Sequence, residues 1–352
     1  MRRLQSLGGG SASLGRRELL VGAAGLSLAA CGRAPALTAS RTPRIDLRRL
    51  DAEVARLAAR AAPGVLGFGL LNLESGESWL GRGERAFPMQ SVFKLPLAAA
   101  ALAEIDAGRL GLAETVTLEA ESLSPDWSPI ADAWPGRTTY SIDELLIAAI
   151  VNSDNTAADL LMKRIGGPGA VMGWLDAQRI TEVRVDRYER EIQPTVYGMT
   201  SFRAAWKGSA AFDAARATVP PARRHAAMLA YMADPRDSAT PRGMLRLLAR
   251  LDAGALISAA STHRLLRLMI LSPRGADRLK AGLPKDAAFA HKTGASGTDQ
   301  GLSAAYNDVG IFTLRDRRRY AIAAFLTGST AAETDRAPLF AELGRVAVAS
   351  IG

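Results

Sequence analysis

Cysteine and histidine are scarce in this 352-residue chain. The single cysteine, Cys31, excludes a disulfide bond within the chain. The three histidines are far apart and lack the spacing of zinc ligands, which argues against a zinc hydrolase; they are His225, His263 and His291. We therefore expect a protein that functions without a metal or a cofactor.

Clusters of basic residues are also lacking, although the formal net charge is +9. The arginines are scattered, and no basic stripe interleaved with aromatic residues is present, so we expect no nucleic-acid partner. The densest basic run, 315–319, lies between two apolar segments and is interpreted as a solvated hairpin turn. With 48% apolar and 22% charged residues, the composition is that of a globular protein with a full core.

The apolar run near the N-terminus is too short to span a bilayer comfortably. It covers 19–26 and directly follows a charged segment that contains Arg16 and Arg17. A charged segment before a short apolar one is the layout of an export signal, which we place over residues 1–30. The paired arginines resemble a twin-arginine signal of the route that exports folded proteins.

The end of this run, residues 28–31, resembles a bacterial lipobox, in which the cysteine receives lipid and becomes the first mature residue. The only cysteine of the chain stands at that position. We therefore expect an exported protein on the periplasmic or cell-surface side, anchored to a membrane through lipid on Cys31, with a tether over 31–45. The alternative is an ordinary secretory signal with an incidental cysteine.

Strand-like segments occur near both ends of the remaining chain. Strands are predicted at 65–71, 78–80, 287–292, 303–314 and 320–327, and helices at 47–61 and 331–350. Because the chain from 91 to 285 is mostly helical in pattern, the early and late strands must pair in one sheet. We expect an α/β domain over 46–352, with an α/β part (46–90 and 286–352), a helical part (91–285) and a site in the cleft between them.

The first of three short motifs is Ser91-Val92-Phe93-Lys94, at the start of the first strong helical segment. A serine and a lysine three residues apart on a helix share one face, so the amine lies beside the hydroxyl. A serine needs such a neighbouring base to act as a nucleophile. By itself this motif occurs by chance in many helices.

The second motif, Ser153-Asp154-Asn155, interrupts an apolar helical pattern, and the third, Lys292-Thr293-Gly294, stands at the end of a predicted strand. Ser, Asp and Asn are good helix caps, so the second motif has a purely structural alternative. Gly294 would permit close approach of the backbone to a ligand, or would simply end the strand in a turn.

Together and in this order, the three motifs are the set found in class A β-lactamases and penicillin-binding proteins. The residues around them, 87–94, 291–294 and 305–310, resemble the extended-spectrum subgroup of class A, and the similarity covers about 45 to 351. This resemblance implies the β-lactamase/transpeptidase-like fold. That fold has an antiparallel sheet of about five strands flanked by helices, plus an all-helical subdomain.

A fourth segment, 187–192, resembles the omega-loop signature of class A enzymes, with Glu189 at the position of the deacylating glutamate. The alternative for Glu189 is a surface carboxylate in a charged stretch. Arg187 and Asp237 match the ion pair that closes the neck of this loop, and such a pair contributes little if it is exposed. The predicted omega loop with its insertion covers 187–237.

The resemblance also implies a set of substrate-binding residues. Trp127 matches an aromatic residue at the rim of the cleft, and Arg278 matches an arginine with which some members hold the substrate carboxylate. The backbone N–H of Ala295 would complete an oxyanion hole with that of Ser91. The expected binding residues are Asn155, Trp127, Gln193, Thr293, Gly294, Ala295 and Arg278.

The implied function is hydrolysis of the β-lactam amide of penicillins or cephalosporins by a monomer, through an acyl-enzyme on Ser91. Either Lys94, or Glu189 through a water, takes the serine proton. Ser153, poised by Lys292, would pass a proton to the leaving nitrogen, and Glu189 would activate the water that hydrolyses the acyl-enzyme.

The chain departs from the family pattern in two places. Gln193 stands where the family usually has asparagine, and a long insertion lies between Gln193 and Asp237. Both departures bear on deacylation, and they keep two alternatives open: a D,D-peptidase or penicillin-binding protein, and a non-hydrolytic lipoprotein that binds β-lactams or cell-wall peptides. Glu189 argues against the peptidase, since such enzymes lack a deacylating glutamate at this place.

Overall fold

Residues 44–352 are described by a computed structural model of the chain. The predicted export signal, Cys31 and most of the predicted tether lie outside the described residues. The helices are α1 (Leu47–Arg60), α2 (Lys94–Asp106), α3 (Pro129–Ala133), α4 (Ile142–Ile147), α5 (Asn155–Arg164), α6 (Pro168–Ala177), α7 (Glu189–Val196), α8 (Ser209–Ala217), α9 (Pro221–Ala233), α10 (Pro241–Asp252), α11 (Ala259–Leu271), α12 (Leu279–Gly282) and α13 (Glu333–Ala349).

The strands are β1 (Val65–Asn72), β2 (Ser78–Gly81), β3 (Phe87–Pro88), β4 (Thr115–Thr117), β5 (Thr139–Ser141), β6 (Ser238–Ala239), β7 (Ala288–Ala295), β8 (Thr298–Asp299), β9 (Leu302–Ser303), β10 (Tyr306–Thr313) and β11 (Arg319–Thr327). Five of them form one antiparallel sheet in the order β2-β1-β11-β10-β7. Strands from the two ends of the chain pair directly, since Val65 of β1 lies opposite Thr327 of β11. The predicted fold class is therefore confirmed.

Two predicted strand boundaries were wrong. The segment 303–314 is not one strand, because Leu302–Ser303 pairs with β8 and the long strand β10 begins at Tyr306. Strand β7 continues to Ala295, where it still pairs with Tyr306. The Lys292-Thr293-Gly294 motif is consequently inside a paired strand and not at its end.

Each face of the sheet covers a separate hydrophobic core. On one face, α1 and α13 pack on alternate residues of β1 that include Phe68 and Leu70. On the other face, α10 lies so close that a Cβ at Gly69 would come within 2.7 Å of the Leu245 side chain. Glycine at this inward position therefore allows a helix to lie directly on the strand.

Helices of the range 91–285 do not lie wholly apart from the sheet. Besides α10 on β1, helix α12 lies against α13, where Gly282 and Gly344 allow close backbone contact. The remaining helices of that range surround α2 and α5 in the larger core. No helix among residues 44–352 combines the length and apolar character needed to cross a membrane.

Candidate active site

Ser91 lies on a 3-10 turn, Gln90–Phe93, that leads directly into α2. Lys94 is the first residue of that helix, and its Nζ lies 2.9 Å from Oγ of Ser91. The side chain of Lys94 is fully buried, so its charge must be met by polar neighbours. Its Nζ also donates to the carbonyl of Ser153 at 2.8 Å and to Oδ1 of Asn155 at 2.5 Å.

The Ser153-Asp154-Asn155 motif caps a helix and also contributes side chains to the site. Asp154 caps α5, since its side chain accepts from the backbone N–H of Ala157. The capping alternative for this motif is thus correct for Asp154. Ser153 itself adopts the left-handed conformation, with φ of 60°, between a π-helical turn and α5. A non-glycine residue in that region is uncommon and is typical of functional sites.

Lys292 reaches the same serine from the sheet. Its Nζ donates to Oγ of Ser153 at 2.8 Å and to its neighbour's carbonyl, Thr293 O, at 3.0 Å. Burial lowers the pKa of Lys292 well below its ordinary value, and the positive charge of Lys94 lowers that pKa further. The amine of Lys292 is therefore in direct contact with the hydroxyl of Ser153, and it is less basic than an ordinary lysine.

Glu189 begins α7 and is fully buried beside Ser91. Its Oε1 lies 3.0 Å from Nζ of Lys94 and 3.4 Å from Oγ of Ser91. Its Oε2 accepts from Nε2 of Gln193 at 2.7 Å. Glu189 is consequently not the surface carboxylate of the structural alternative.

Asp159 fixes the start of α7 from α5. Its carboxylate accepts from the backbone N–H of Glu189 at 2.7 Å, from that of Arg190 at 3.0 Å and from Oγ of Ser124 at 2.6 Å. Burial raises the pKa of Asp159 to about 7 although these three donors favour its ionised form. A carboxylate at the N-terminus of a helix meets unpaired N–H groups, and here it orients Glu189.

A cleft of about 320 Å³ opens above these groups. Its lining includes all the expected binding residues, together with Ser91 and Ser153: Asn155, Trp127, Gln193, Thr293, Gly294, Ala295 and Arg278. Lys94, Glu189 and Lys292 lie buried beneath that lining. The structure thus brings all the predicted site residues among 44–352 to one place. No group of three or more side chains that could hold a metal ion occurs within 44–352.

The rim of the cleft contains a cation on an aromatic ring. Trp127 is 46% exposed, and the guanidinium of Arg274 lies 4.0 Å from the centre of its ring. Deeper in the cleft, Arg278 donates to the carbonyl of Asn307 at 2.8 Å and lies 3.7 Å over the ring of Tyr306. Two arginines therefore line the cleft, together with the carboxylates of Asp126, Asp277 and Glu333.

Gly294, which lines the cleft, also allows a close contact within the protein. A Cβ at this position would come within 2.3 Å of the carbonyl oxygen of Met89 and 3.1 Å of the backbone nitrogen of Ser91. The glycine therefore lets β7 lie against the turn that carries the nucleophile. The close approach is to the protein's own backbone.

Sequence reasoning missed Gln90, Asp159, Tyr231 and Arg274. Gln90 was included in the similar stretch 87–94, but nothing marked it as a site residue. Tyr231 and Arg274 lie in helical or loop sequence with no motif around them, whereas Asp159 lies on α5, four residues after the second motif. All three reach the site only through the packing of distant segments.

The site holds a serine hydroxyl between a buried lysine and a buried glutamate, at the junction of an antiparallel sheet and a helical layer. Such a site defines a serine hydrolase of the acyl-transfer type. Comparison with known proteins makes this class specific. The model of the β-lactamase enzyme family matches residues 49–351.

Among curated relatives, β-lactamase VEB-1 from Pseudomonas aeruginosa is 31% identical over 246 residues, 69% of this chain and 71% of the relative. Extended-spectrum β-lactamase PER-1 from the same organism is 30% identical, over 74% of each chain. A solved structure of an ancestral class A β-lactamase superposes with a TM-score of 0.69 at 31% identity, covering 85% of this chain and 99% of that one. The chain belongs to the β-lactamase enzyme family, as a class A serine β-lactamase that hydrolyses β-lactam amides.

Proposed function

We propose that Ser91 is the nucleophile of this hydrolysis. The observation that carries the proposal is that one hydroxyl lies within 2.9 Å of Lys94 Nζ and 3.4 Å of Glu189 Oε1. These two groups are ion-paired at 3.0 Å in a buried site, so they accept the serine proton as one coupled unit. Oγ then attacks the lactam carbonyl, whose oxyanion is stabilised by the backbone N–H groups of Ser91 and Ala295.

Ring opening requires a proton on the departing nitrogen. Ser153 supplies it and is reprotonated by Lys292, whose Nζ lies 2.8 Å away. The lowered pKa of Lys292 supports this step, because a less basic ammonium gives up its proton more readily. The product of this half-reaction is an ester on Ser91.

Hydrolysis of that ester needs a water and a base. Before this step, the proton that Lys94 and Glu189 took from Ser91 replaces the one that Lys292 gave up, so Glu189 is ionised again. Glu189 then takes a proton from the water, which attacks the ester carbonyl, and passes that proton to Oγ of Ser91 as the ester bond breaks. Gln193 supports this role, because its amide nitrogen donates to Glu189 and to Gln90, at 2.7 and 3.0 Å. Its carbonyl oxygen is then the atom left to accept from a water in the cleft. We infer that Gln193 performs the function of the family's asparagine.

Substrate binding uses the cationic side chains at the β7 side of the cleft. The carboxylate of a penicillin or cephalosporin is held by Lys292, Thr293 and Arg278, while Trp127 covers the rim and Asn155 contacts the substrate from the helical side. The burial of Arg278 and its fixed contacts support its role, since little side-chain entropy remains to be lost on binding.

Intact-mass analysis with a slowly hydrolysed penicillin tests Ser91. We expect one acyl adduct on the wild-type domain and none on Ser91→Ala. An adduct that persists in the variant would refute the assignment. Steady-state turnover of a chromogenic cephalosporin by the wild-type domain distinguishes the alternatives, since a penicillin-binding protein or a sensor would be acylated with negligible turnover.

The variant Glu189→Gln tests the deacylation step. We expect its acyl-enzyme to accumulate, because general-base catalysis contributes about 10²–10⁴-fold. Glu191→Gln is the matched control, since Glu191 lies on the same helix but is exposed. If Glu189→Gln turns over like the wild type, another base must activate the water.

We further propose that the enzyme is exported, lipid-anchored through Cys31 and monomeric. The single cysteine at the end of the apolar signal segment supports the anchor, and a site built from one chain supports the monomer. Cys31→Ser should release the enzyme from membranes in cell fractionation. Membrane association that still requires detergent in this variant would refute the anchor. A dimer mass in light scattering of the domain would refute the monomer.

A further inference from the structure

The insertion after Gln193 forms two helices, α8 and α9, that contact segments next to the cleft. Helix α9 is tied to the β8 turn, where Arg224 forms a partly buried ion pair with Asp299 at 3.0 Å and Gln300 donates to the carbonyl of Pro221 at 2.7 Å. Helix α8 begins beside the opposite wall, where Oγ of Ser209 donates to the carbonyl of Asp126 at 3.1 Å. The insertion is therefore anchored to both sides of the site.

One side chain of the insertion reaches further inward. Tyr231 of α9 is almost fully buried, and its hydroxyl accepts from Nε2 of Gln90 at 2.8 Å. Oε1 of Gln90 accepts from Nε2 of Gln193 at 3.0 Å, and the same nitrogen donates to Oε2 of Glu189 at 2.7 Å. A continuous chain of hydrogen bonds thus joins the insertion to the carboxylate of Glu189.

Glu189 determines which atom donates and which accepts at each step of this series of hydrogen bonds. A carboxylate accepts hydrogen bonds, so the amide nitrogen of Gln193 must face Glu189. Its second hydrogen then requires an acceptor, which Oε1 of Gln90 provides. The nitrogen of Gln90 is left to face Tyr231. Gln90 also adopts the left-handed conformation, with φ of 47°, which persists only where its surroundings hold it.

We propose that Tyr231 is a positioning residue for deacylation: it orients Gln90, and through Gln90 and Gln193 it holds Glu189 in place as the base. The inference rests on the proposed role of Glu189. It gives the insertion a function, because Tyr231 lies on helix α9 of the insertion. Loss of the hydroxyl leaves a buried amide donor without a partner, which frees both glutamines to rotate.

The test measures acylation and deacylation separately, by stopped-flow kinetics with a cephalosporin, in Tyr231→Phe. This variant removes the hydroxyl and keeps the ring. We expect deacylation to slow about three- to tenfold, the value of one hydrogen bond. Acylation should slow less, because Lys94 contacts Ser91 directly and shares the serine proton with Glu189, whereas deacylation depends on Glu189 alone. Tyr140→Phe is the matched control, since Tyr140 is buried but its hydroxyl has no hydrogen-bond partner among residues 44–352. We expect it to retain wild-type deacylation.

The same substitution in a Gln193→Leu variant separates a positioning role of Tyr231 from general stabilisation of the fold. If Tyr231 acts through Gln193, Tyr231→Phe should slow deacylation in the wild type and should have no further effect in Gln193→Leu. The same factor in both backgrounds, or no effect in either, would overturn the inference while the wild type still hydrolyses its substrate. Failure of the wild type itself to deacylate would instead refute the proposed role of Glu189.

Discussion

Nε of Arg187 lies 2.6 Å from Oδ2 of Asp237, and this ion pair joins the two ends of the predicted omega loop. The side chains are only 8% and 1% exposed. Oδ1 of Asp237 also accepts from the backbone N–H groups of Asp186 and Arg187, at 2.7 and 3.0 Å. The pair is therefore buried, and the low contribution of an exposed pair does not apply to it.

Removing one partner of this ion pair should lower the stability of the folded protein. We expect Asp237→Asn, which tolerates the left-handed φ of 52° at this position, to lower the free energy of unfolding by about 3 kcal/mol, because it leaves the Arg187 charge buried without its main partner. Urea denaturation measures the change. Glu84→Gln is the control, since its pair with Arg242 is exposed and should contribute at most about 1 kcal/mol. Equal losses in both variants would contradict the expectation.

The sequence could predict the groups that perform the chemistry, because each lies in a short motif with a fixed local structure. Ser91 and Lys94 share a helix start, and Lys292 alternates with its strand neighbours, so spacing alone sets their direction. The early and late strands were predictable because their apolar pattern is also a local property of the sequence. The burial of Glu189 was not derivable from its own charged segment; only the family resemblance pointed to it.

The groups that hold this chemistry in place could not be predicted. Gln90 and Tyr231 are 141 residues apart, and their hydrogen bond exists only because α9 packs against α7 and β3, next to the turn that contains Ser91. Asp159 likewise reaches Glu189 across 30 residues. Such contacts depend on how helices pack, and the periodicity of a single segment carries no information about its partner.

The lowered pKa of Lys292 predicts a pH dependence. Above that pKa the amine is neutral and no longer attracts a substrate carboxylate, so kcat/KM should fall on the alkaline side at a pH below the ordinary lysine value of about 10.4. Lys292→Arg keeps its charge throughout this range and should move the decline to higher pH. Lys280→Arg, on the exposed side of α12, is the control. A decline at the same pH in Lys292→Arg would assign it to another group.

Asp159 predicts a pH dependence of stability. Its folded-state pKa of about 7 is above the unfolded value of about 3.9, so its contribution to stability is fully present at low pH and is lost as the pH rises through 7. The stability of the wild type relative to Asp159→Asn should therefore decrease between about pH 4 and pH 7. Urea denaturation of both proteins across this range measures it. A constant difference would show that the carboxyl is ionised throughout.

Arg278 is fixed before any substrate arrives, by the carbonyl of Asn307 and the ring of Tyr306. If it holds the substrate carboxylate, Arg278→Ala should raise KM by the equivalent of about 1.5–3 kcal/mol, the value of a hydrogen bond to a charged group. The methyl ester of the same substrate removes the carboxylate instead of the arginine. With the ester, wild type and variant should have similar KM values, since the interaction is already absent. Arg274→Ala removes a charge from the same cleft, but one stacked at the rim on Trp127, and should raise KM less. An equal rise in KM with the acid and the ester would mean that Arg278 supports the cleft without contacting the carboxylate.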